Sequence, residues 1–281
     1  YPEIQTPSNN EIIHVRSSTK GTVQDTVAIK VKVPEVLSSY PSIKIKIDDV
    51  YVNQGDIIFD PAENLWVYNW VVSSINPGSE GKRFLVVAEI NGTPSCYDAT
   101  GVYLVEAIIF EDFENFSFGE WSQWGSAVPA NANIPWSIGI NPTNSIEKTV
   151  RSTTGYTTYT NYKLLSPNIV IPDSSLNKTK MEFDIYWDYS GSLWSNLYMY
   201  ICDSSGNPIE TGVLLPKSYR TWWHYNYDLS KYSGQTISIR LDNYHNFNPS
   251  YVIFTRYCVD NFLIYAIPDM DCPNIDFISG N

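Results

Sequence analysis

Between residues 164 and 267 apolar and polar residues alternate almost without a break, and that period of two limits what the chain can fold into. The segments LLSPNIVIP, KMEFDIYWDYSGSLWSNLYMYICDSSG, WWHYNYDLSKYSGQTISIRLDN and YCVDNFLIYAI are joined by stretches rich in Gly, Ser, Asn and Pro. Such alternation builds strands with one face buried and one face wet. Many short strands at regular spacing close into a sandwich or barrel. The start of the chain reads the same way. VAIKVKV sets Val27, Ile29, Val31 and Val33 on one face and Lys30 and Lys32 on the other, and IKIKID opposes Ile43, Ile45 and Ile47 to Lys44 and Lys46. No segment carries the period of a helix longer than a turn or two.

At 281 residues the chain is too long for one small sandwich, and two domains are expected. We expect an all-β protein: an extended segment over 1–10, an immunoglobulin-like β-sandwich over 11–107, a jelly-roll sandwich over 108–267 and an irregular tail over 268–281. The run VYLVEAIIFEDFE crosses the boundary without a flexible linker, which should limit hinge motion.

Net charge is -12, which argues against nucleic acid as a partner, since that needs a basic patch. It suits divalent cations and an extracellular setting. No run of about 18 apolar residues predicts a membrane span in this chain. It opens on Tyr1 without a signal peptide and reads as a processed piece of a secreted precursor. Cys96, Cys202, Cys258 and Cys272 match no zinc spacing. An even count in a secreted chain suggests two disulfides in one of three connectivities, of which Cys202 with Cys258 and Cys96 with Cys272 would pin the tail to the first domain, against the alternative of four buried thiols. Asn91, Asn115 and Asn177 open glycosylation triplets.

The order FEDFEN…W, LLSPNIVIP, MEFDIYW, WWHYNYDLSKYSGQTISIRL, VDNFLI resembles a MAM-type jelly roll over roughly residues 109–267. It is similar in particular to the choice-of-anchor J (cleaved adhesin) modules of secreted prokaryotic proteins. In the first domain Tyr68-Asn69-Trp70, a turn and RFLVVAEI resemble prokaryotic Ig-like modules, although the Cys…Trp…Cys core of antibody domains is missing. The resemblance implies a non-catalytic domain that accompanies secreted enzymes and adhesins and holds a structural cation. Glu111, Asp112 and Glu114 open the jelly roll and Asp260 opens its last strand. Carboxylates gathered there would repel one another without a cation, and Ca²⁺ prefers hard oxygens. Glu111, Glu114 and Asp260 match the family's acidic positions, while Asn261 stands where a second Asp is frequent.

Aromatics reach 15% of the chain, with 21 Tyr and 9 Trp. Alternation sends about half of a strand's rings outward, where flat faces can stack on sugars or dock on protein. Trp187, Trp194, Trp222, Trp223 and Tyr225 are the candidate ligand-binding rings. A catalytic reading is weaker. Glu182 and Asp184 share a strand face as in laminarinase-type hydrolases, but the further Glu that completes that motif is replaced by Tyr186 and Trp187. Three scattered histidines (His14, His224 and His245) make no metal centre, and no G-x-S-x-G aims a serine.

The expected function is non-catalytic extracellular binding or adhesion, as the C-terminal part of a secreted enzyme or cell-surface protein. Carbohydrate or a cell-surface protein would be the partner. One alternative is a homo-oligomeric filament or surface-array subunit that adds YPEIQTPSNN to a neighbour's sheet. A carbohydrate-active enzyme is the other.

Overall fold

The structure is a computed structural model that describes residues 1–15, 26–33, 43–75, 81–90, 96–114, 120–128, 136–155, 159–173, 177–190, 195–217, 219–246 and 254–268. The first sandwich is built from β1 (Glu3–Thr6), β2 (Glu11–Val15), β3 (Thr26–Lys32), β4 (Ile43–Ile47), β5 (Val50–Tyr51), β6 (Ile57–Asp60), β7 (Leu65–Val71), β8 (Lys82–Ile90) and β9 (Tyr97–Glu111). One sheet runs β1-β3-β7-β6, and the facing one runs β9-β8-β4-β5 with β2 parallel to β9. This is the immunoglobulin order, ABED against CFG, with two extra edge strands, β5 beside β4 and β2 beside β9. The alternation holds: Val27, Ile29, Val31, Ile43 and Ile45 are buried between the sheets. Trp70 of the Tyr-Asn-Trp element packs edge-on against Phe84 with ring centres 5.3 Å apart.

The N-terminal segment belongs to this sandwich rather than standing apart from it as the extended stretch expected over 1–10. β1 pairs antiparallel with β3, with Glu3 opposite Lys32 and Thr6 opposite Lys30. The amide of Ile4 donates to Asp98 Oδ2 at 2.7 Å, and Pro2 and Pro7 are buried. Backbone pairing holds the segment, and side-chain hydrophobicity could not reveal that. Deleting residues 1–6 should therefore cost about 1–3 kcal/mol, a few net hydrogen bonds at about 1 kcal/mol each. An unchanged thermal midpoint in calorimetry would contradict this.

Strand β9 continues into the second sandwich. Residues 97–104 pair with β8, and residues 107–111 pair with the last strand. That sandwich contains β10 (Ser122–Val128), β11 (Ser137–Ile140), β12 (Lys148–Gly155), β13 (Tyr159–Leu165), β14 (Ile169–Val170), β15 (Asn177–Ser190), β16 (Ser195–Asp203), β17 (Val213–Leu214), β18 (Trp222–Asp228), β19 (Thr236–Asn246) and β20 (Phe254–Pro268). β20 has β15 and then β18 on one side, and β12 and then β11 on the other, until β9 takes over. Both sandwiches thus share one sheet, of ten strands among the described residues. The facing sheet runs β10-β13-β19-β16-β17, with β14 beside the start of β19. Phe183, Ile185, Met199, Leu241, Val259 and Phe262 fill the space between. The all-β, two-sandwich architecture read from the sequence is the one observed.

The expected Cys202–Cys258 bridge is absent. Cys96, Cys202 and Cys258 are free thiols, and Cys272 lies outside the described residues. The reason is parity. Ile201 points into the core, so Cys202 points out of the facing sheet; Tyr257 and Val259 point in, so Cys258 points out of the shared sheet. Two sheets about 10 Å apart separate them, beyond the span of a disulfide. Burial pushes both thiols up to about 11, which leaves them unreactive.

Candidate functional site

The outer face of the facing sheet collects the side chains that its core-facing neighbours leave behind. On β16 Leu197, Met199 and Ile201 point inward, so Tyr198 and Tyr200 point out. On β19 Ile239 and Leu241 point inward, so Arg240, Asp242 and Tyr244 point out. On β13 Tyr162 and Leu164 point inward, so Asn161, Lys163 and Leu165 point out. The pairing then aligns one row across five strands: Trp124 opposite Lys163, Lys163 opposite Asp242, Asp242 opposite Tyr198, and Tyr198 opposite Leu214. At about 4.8 Å per strand, Trp124 and Tyr198 stand about 14 Å apart. A second row holds Leu165, Arg240 and Tyr200, and a third holds Asn161, Tyr244 and Asn196.

The centre of this face is a fixed ion pair. Arg240 Nε and Nη2 donate to Asp242 Oδ1 and Oδ2 at 2.8 and 3.1 Å. Only 10% and 9% of the two side chains are exposed. The guanidinium lies 4.7 Å from the Tyr200 ring centre, and its Nη1 donates to the Gly206 carbonyl at 3.3 Å. Burial pushes the Asp242 carboxyl above its ordinary value, and Arg240 and Lys163 draw it back. Trp124 is 41% exposed, with the Lys163 ammonium 5.8 Å from its ring. The loop after β16 walls one end. A Cβ on Gly212 would stand 2.4 Å from the Tyr200 ring, so only glycine lets the loop approach that closely. Flat rings at both ends of a row, with oriented donors and acceptors between them, can stack on a sugar and hydrogen-bond its hydroxyls. The signal in the sequence was YMYI beside IRLDN: rings, and an Arg–Asp pair two residues apart, on strands whose alternate residues are all core.

The aromatics singled out from the sequence are not gathered there. Trp187 is 3% exposed and lies in the core on the same face as Phe183 and Ile185, so it cannot bind a ligand. Trp194 lies outside the described residues. Ile185 stands opposite Trp223 and Phe183 opposite Tyr225, which turns Trp223 and Tyr225 toward the interior side of edge strand β18. Tyr225 is half-buried, its ring 5.2 Å from Phe183, while Trp223 stays 50% exposed at the rim. Trp222 faces the other way and its indole donates to Thr143 Oγ1 at 2.8 Å.

Glu182 and Asp184 do share the outer face of the shared sheet, but each is tied. Tyr265 donates its hydroxyl to Glu182 at 2.5 Å, and Asn261 Nδ2 donates to Asp184 at 2.8 Å. His224 Nδ1 stands 2.9 Å from Asp184. The acidic trio is not assembled as a ligand set, and among the described residues no three His, Cys, Asp or Glu side chains are placed to hold a metal ion. The first and last strands are neighbours as expected, but it is Phe262 that stands opposite Glu111. Phe113, at a φ of 56°, turns the chain so that Glu111 Oε1 accepts from the Phe113 amide at 3.2 Å. Glu114 Oε1 accepts from the Lys148 amide at 2.6 Å. Asp260 stands opposite Asp184, before a bulge at Asn261. Burial, with Asp184, Glu147 and Glu114 nearby, pushes it up to about 7. Of the glycosylation triplets, Asn91 and Asn115 lie outside the described residues, and Asn177 opens β15 opposite Pro268.

No family model matches the chain, and no curated protein does. Among solved structures, carbohydrate-binding modules from the β-sandwich superfamily align over 94% of this chain and 97% of theirs, at 13% identity and a TM-score of 0.48. The TmCBM61 module in complex with β-1,4-galactotriose aligns over 55% of this chain and 93% of its own, at 14% identity and a TM-score of 0.38. The family 11 carbohydrate-binding module from Clostridium thermocellum, in complex with a β-1,3-1,4-mixed-linked tetrasaccharide, aligns over 55% and 92%, at 19% identity and a TM-score of 0.34. Likeness this distant adds no functional argument to the strand order and the face described above.

Proposed function

We propose that this chain is a non-catalytic carbohydrate-binding protein that lays a linear glycan across the outer face of the facing sheet, along the row from Trp124 to Tyr198. The observation that carries the reading is the buried Arg240–Asp242 pair, which lies between the exposed Trp124 and the half-buried Tyr198 and Tyr200 on a face that a sandwich needs for no core. Burying a charge pair is costly, and it is tolerated where its geometry serves recognition. A row about 14 Å long suits several sugar rings end to end better than one terminal sugar. Placement outside the cell and a role in adhesion belong to the proposal. They rest on the net charge of -12 and the glycosylation triplets, and the narrower likeness to MAM-type modules stays one of sequence.

Affinity electrophoresis tests it. Gels cast with xylan, β-1,4-galactan or mixed-linkage β-glucan should retard the protein in at least one case. Equal mobility in all three and in a gel without polysaccharide would count against the reading.

A further inference from the structure

Strand parity sets the charge of the outer face of the facing sheet. Among the described residues of β10, β13, β16, β17 and β19, the charged side chains that point outward are Lys163, Arg240 and Asp242. Arg240 is committed within the protein. It donates through Nε and Nη2 to the two Asp242 oxygens and through Nη1 to the Gly206 carbonyl. Arginine and aspartate so joined cancel each other's charge. The carboxylate just beyond the face, Asp203, is taken up by its own turn, where it accepts from the Ser205 and Asn207 amides and from Asn207 Nδ2. What the pair leaves over is the Lys163 ammonium. Lys163 stands opposite Trp124 in the pairing of β13 with β10, and its ammonium lies 5.8 Å from the centre of the indole. Trp124 is exposed and Lys163 half-buried. A chain with a net charge of -12 therefore presents two cations and one anion on this face.

Resting on the glycan reading of this face, we propose that the glycan is acidic, a polymer that carries uronate, and that Lys163 selects it by pairing with the carboxylate of the sugar stacked on Trp124. Ring and cation are neighbours in one row, so a sugar laid on the indole sits against the ammonium as well. A neutral sugar offers that ammonium only hydroxyl oxygens, whereas a uronate offers a charged acceptor. Hydrogen bonds between ionised partners are about twice as strong as neutral ones. The charge of the whole chain opposes a polyanion only weakly, because at physiological ionic strength charges beyond about 8 Å are largely screened. The charges within that range are the ones that select, and their sum is positive.

The test titrates matched pairs of polysaccharides calorimetrically into the full chain. β-1,4-Galactan and mixed-linkage β-glucan are each compared with the same polymer oxidised at C6 to the uronate, and xylan bearing glucuronate branches is compared with xylan stripped of them. Backbone and linkage match within a pair, so the ratio of affinities reads the carboxylate. The acidic member of at least one pair should bind the parent about tenfold more tightly than its neutral partner. Lys163→Gln should bring that ratio close to one, Lys163→Arg should keep most of it, and Lys163→Glu should reverse the preference. Lys44→Gln removes the same charge from the first sandwich, where Lys44 lies beside Tyr51, and should leave the ratio as it is in the parent. Equal affinities within every pair overturn the proposal, and so does a ratio that survives Lys163→Gln or falls as far in Lys44→Gln. Binding of neutral polymers alone overturns it too and leaves the glycan reading standing. Binding of no polymer, acidic or neutral, would overturn both.

Discussion

Arg240→Ala should lower the unfolding free energy by about 3–5 kcal/mol, because it leaves the Asp242 carboxylate buried without its partner. The cost should depend on pH. Burial already holds Asp242 above its ordinary value, and without the guanidinium it rises further. At acid pH the orphaned carboxyl takes up a proton and loses its charge, so the destabilisation should be largest above neutrality and shrink toward about pH 5. Replacing both partners, with Arg240→Met and Asp242→Leu, should recover most of the stability, since apolar side chains of similar size fill such a site at little cost. That double variant keeps the fold and removes the polar centre of the face, so it should still fail to bind glycan. Denaturant unfolding across pH checks the first part. A single variant as stable as the parent would show that the pair is more solvated than its burial indicates.

The second large effect concerns Asp260. Its folded-state value is raised to about 7, against an ordinary carboxylate value near 4 when unfolded. Between those values the unfolded chain has lost this proton while the folded one keeps it. The contribution is therefore favourable below about pH 4, declines as pH rises to about 7, and is flat above. Three units set a ceiling of about 4 kcal/mol, and relaxation around the group should reduce that to about 1–3 kcal/mol. Asp260→Asn should raise the melting point at about pH 8 by that margin and leave it nearly unchanged at about pH 4. The variant also tests the calcium expected from the sequence. If Ca²⁺ bound here, millimolar CaCl₂ would stabilise the parent and Asp260→Asn would lose that gain. A variant less stable than the parent in calcium would contradict the present placement of these carboxylates.

What the sequence revealed and what it hid follow from the same physics. Period-two alternation reports which residues share a face, so the cores were legible at Val27, Ile29 and Val31 and at Ile43 and Ile45. The continuous junction was legible too, because VYLVEAIIFE runs straight through it within β9. Parity also held an answer for the thiols, since Cys202 follows Ile201 and Cys258 follows Tyr257, both inward-facing. Facing outward is not the same as exposure, however. Trp222 is capped by Thr143, and Arg240 is nearly buried although it points away from the core. Those outcomes depend on loops that cross a face, and alternation carries no record of them. The strand at residues 3–6 was hidden because backbone pairing with β3 asks little of side chains. The placement of Glu111 was hidden because register sets it opposite the core residue Phe262, and the left-handed turn at Phe113 that follows is one a bulky residue gives no warning of.

The central claim is that the row from Trp124 to Tyr198 binds glycan. Calorimetric titration of the polysaccharide retained in the gel, into the parent protein, Trp124→Ala, Tyr198→Ala and Trp223→Ala, tests it most directly. Each ring of the row should cost about 1–2 kcal/mol on removal, near tenfold in affinity, while Trp223→Ala on the opposite sheet should bind like the parent. Full affinity in Trp124→Ala and Tyr198→Ala, with loss in Trp223→Ala, would move the site to the edge strand β18 and contradict the account.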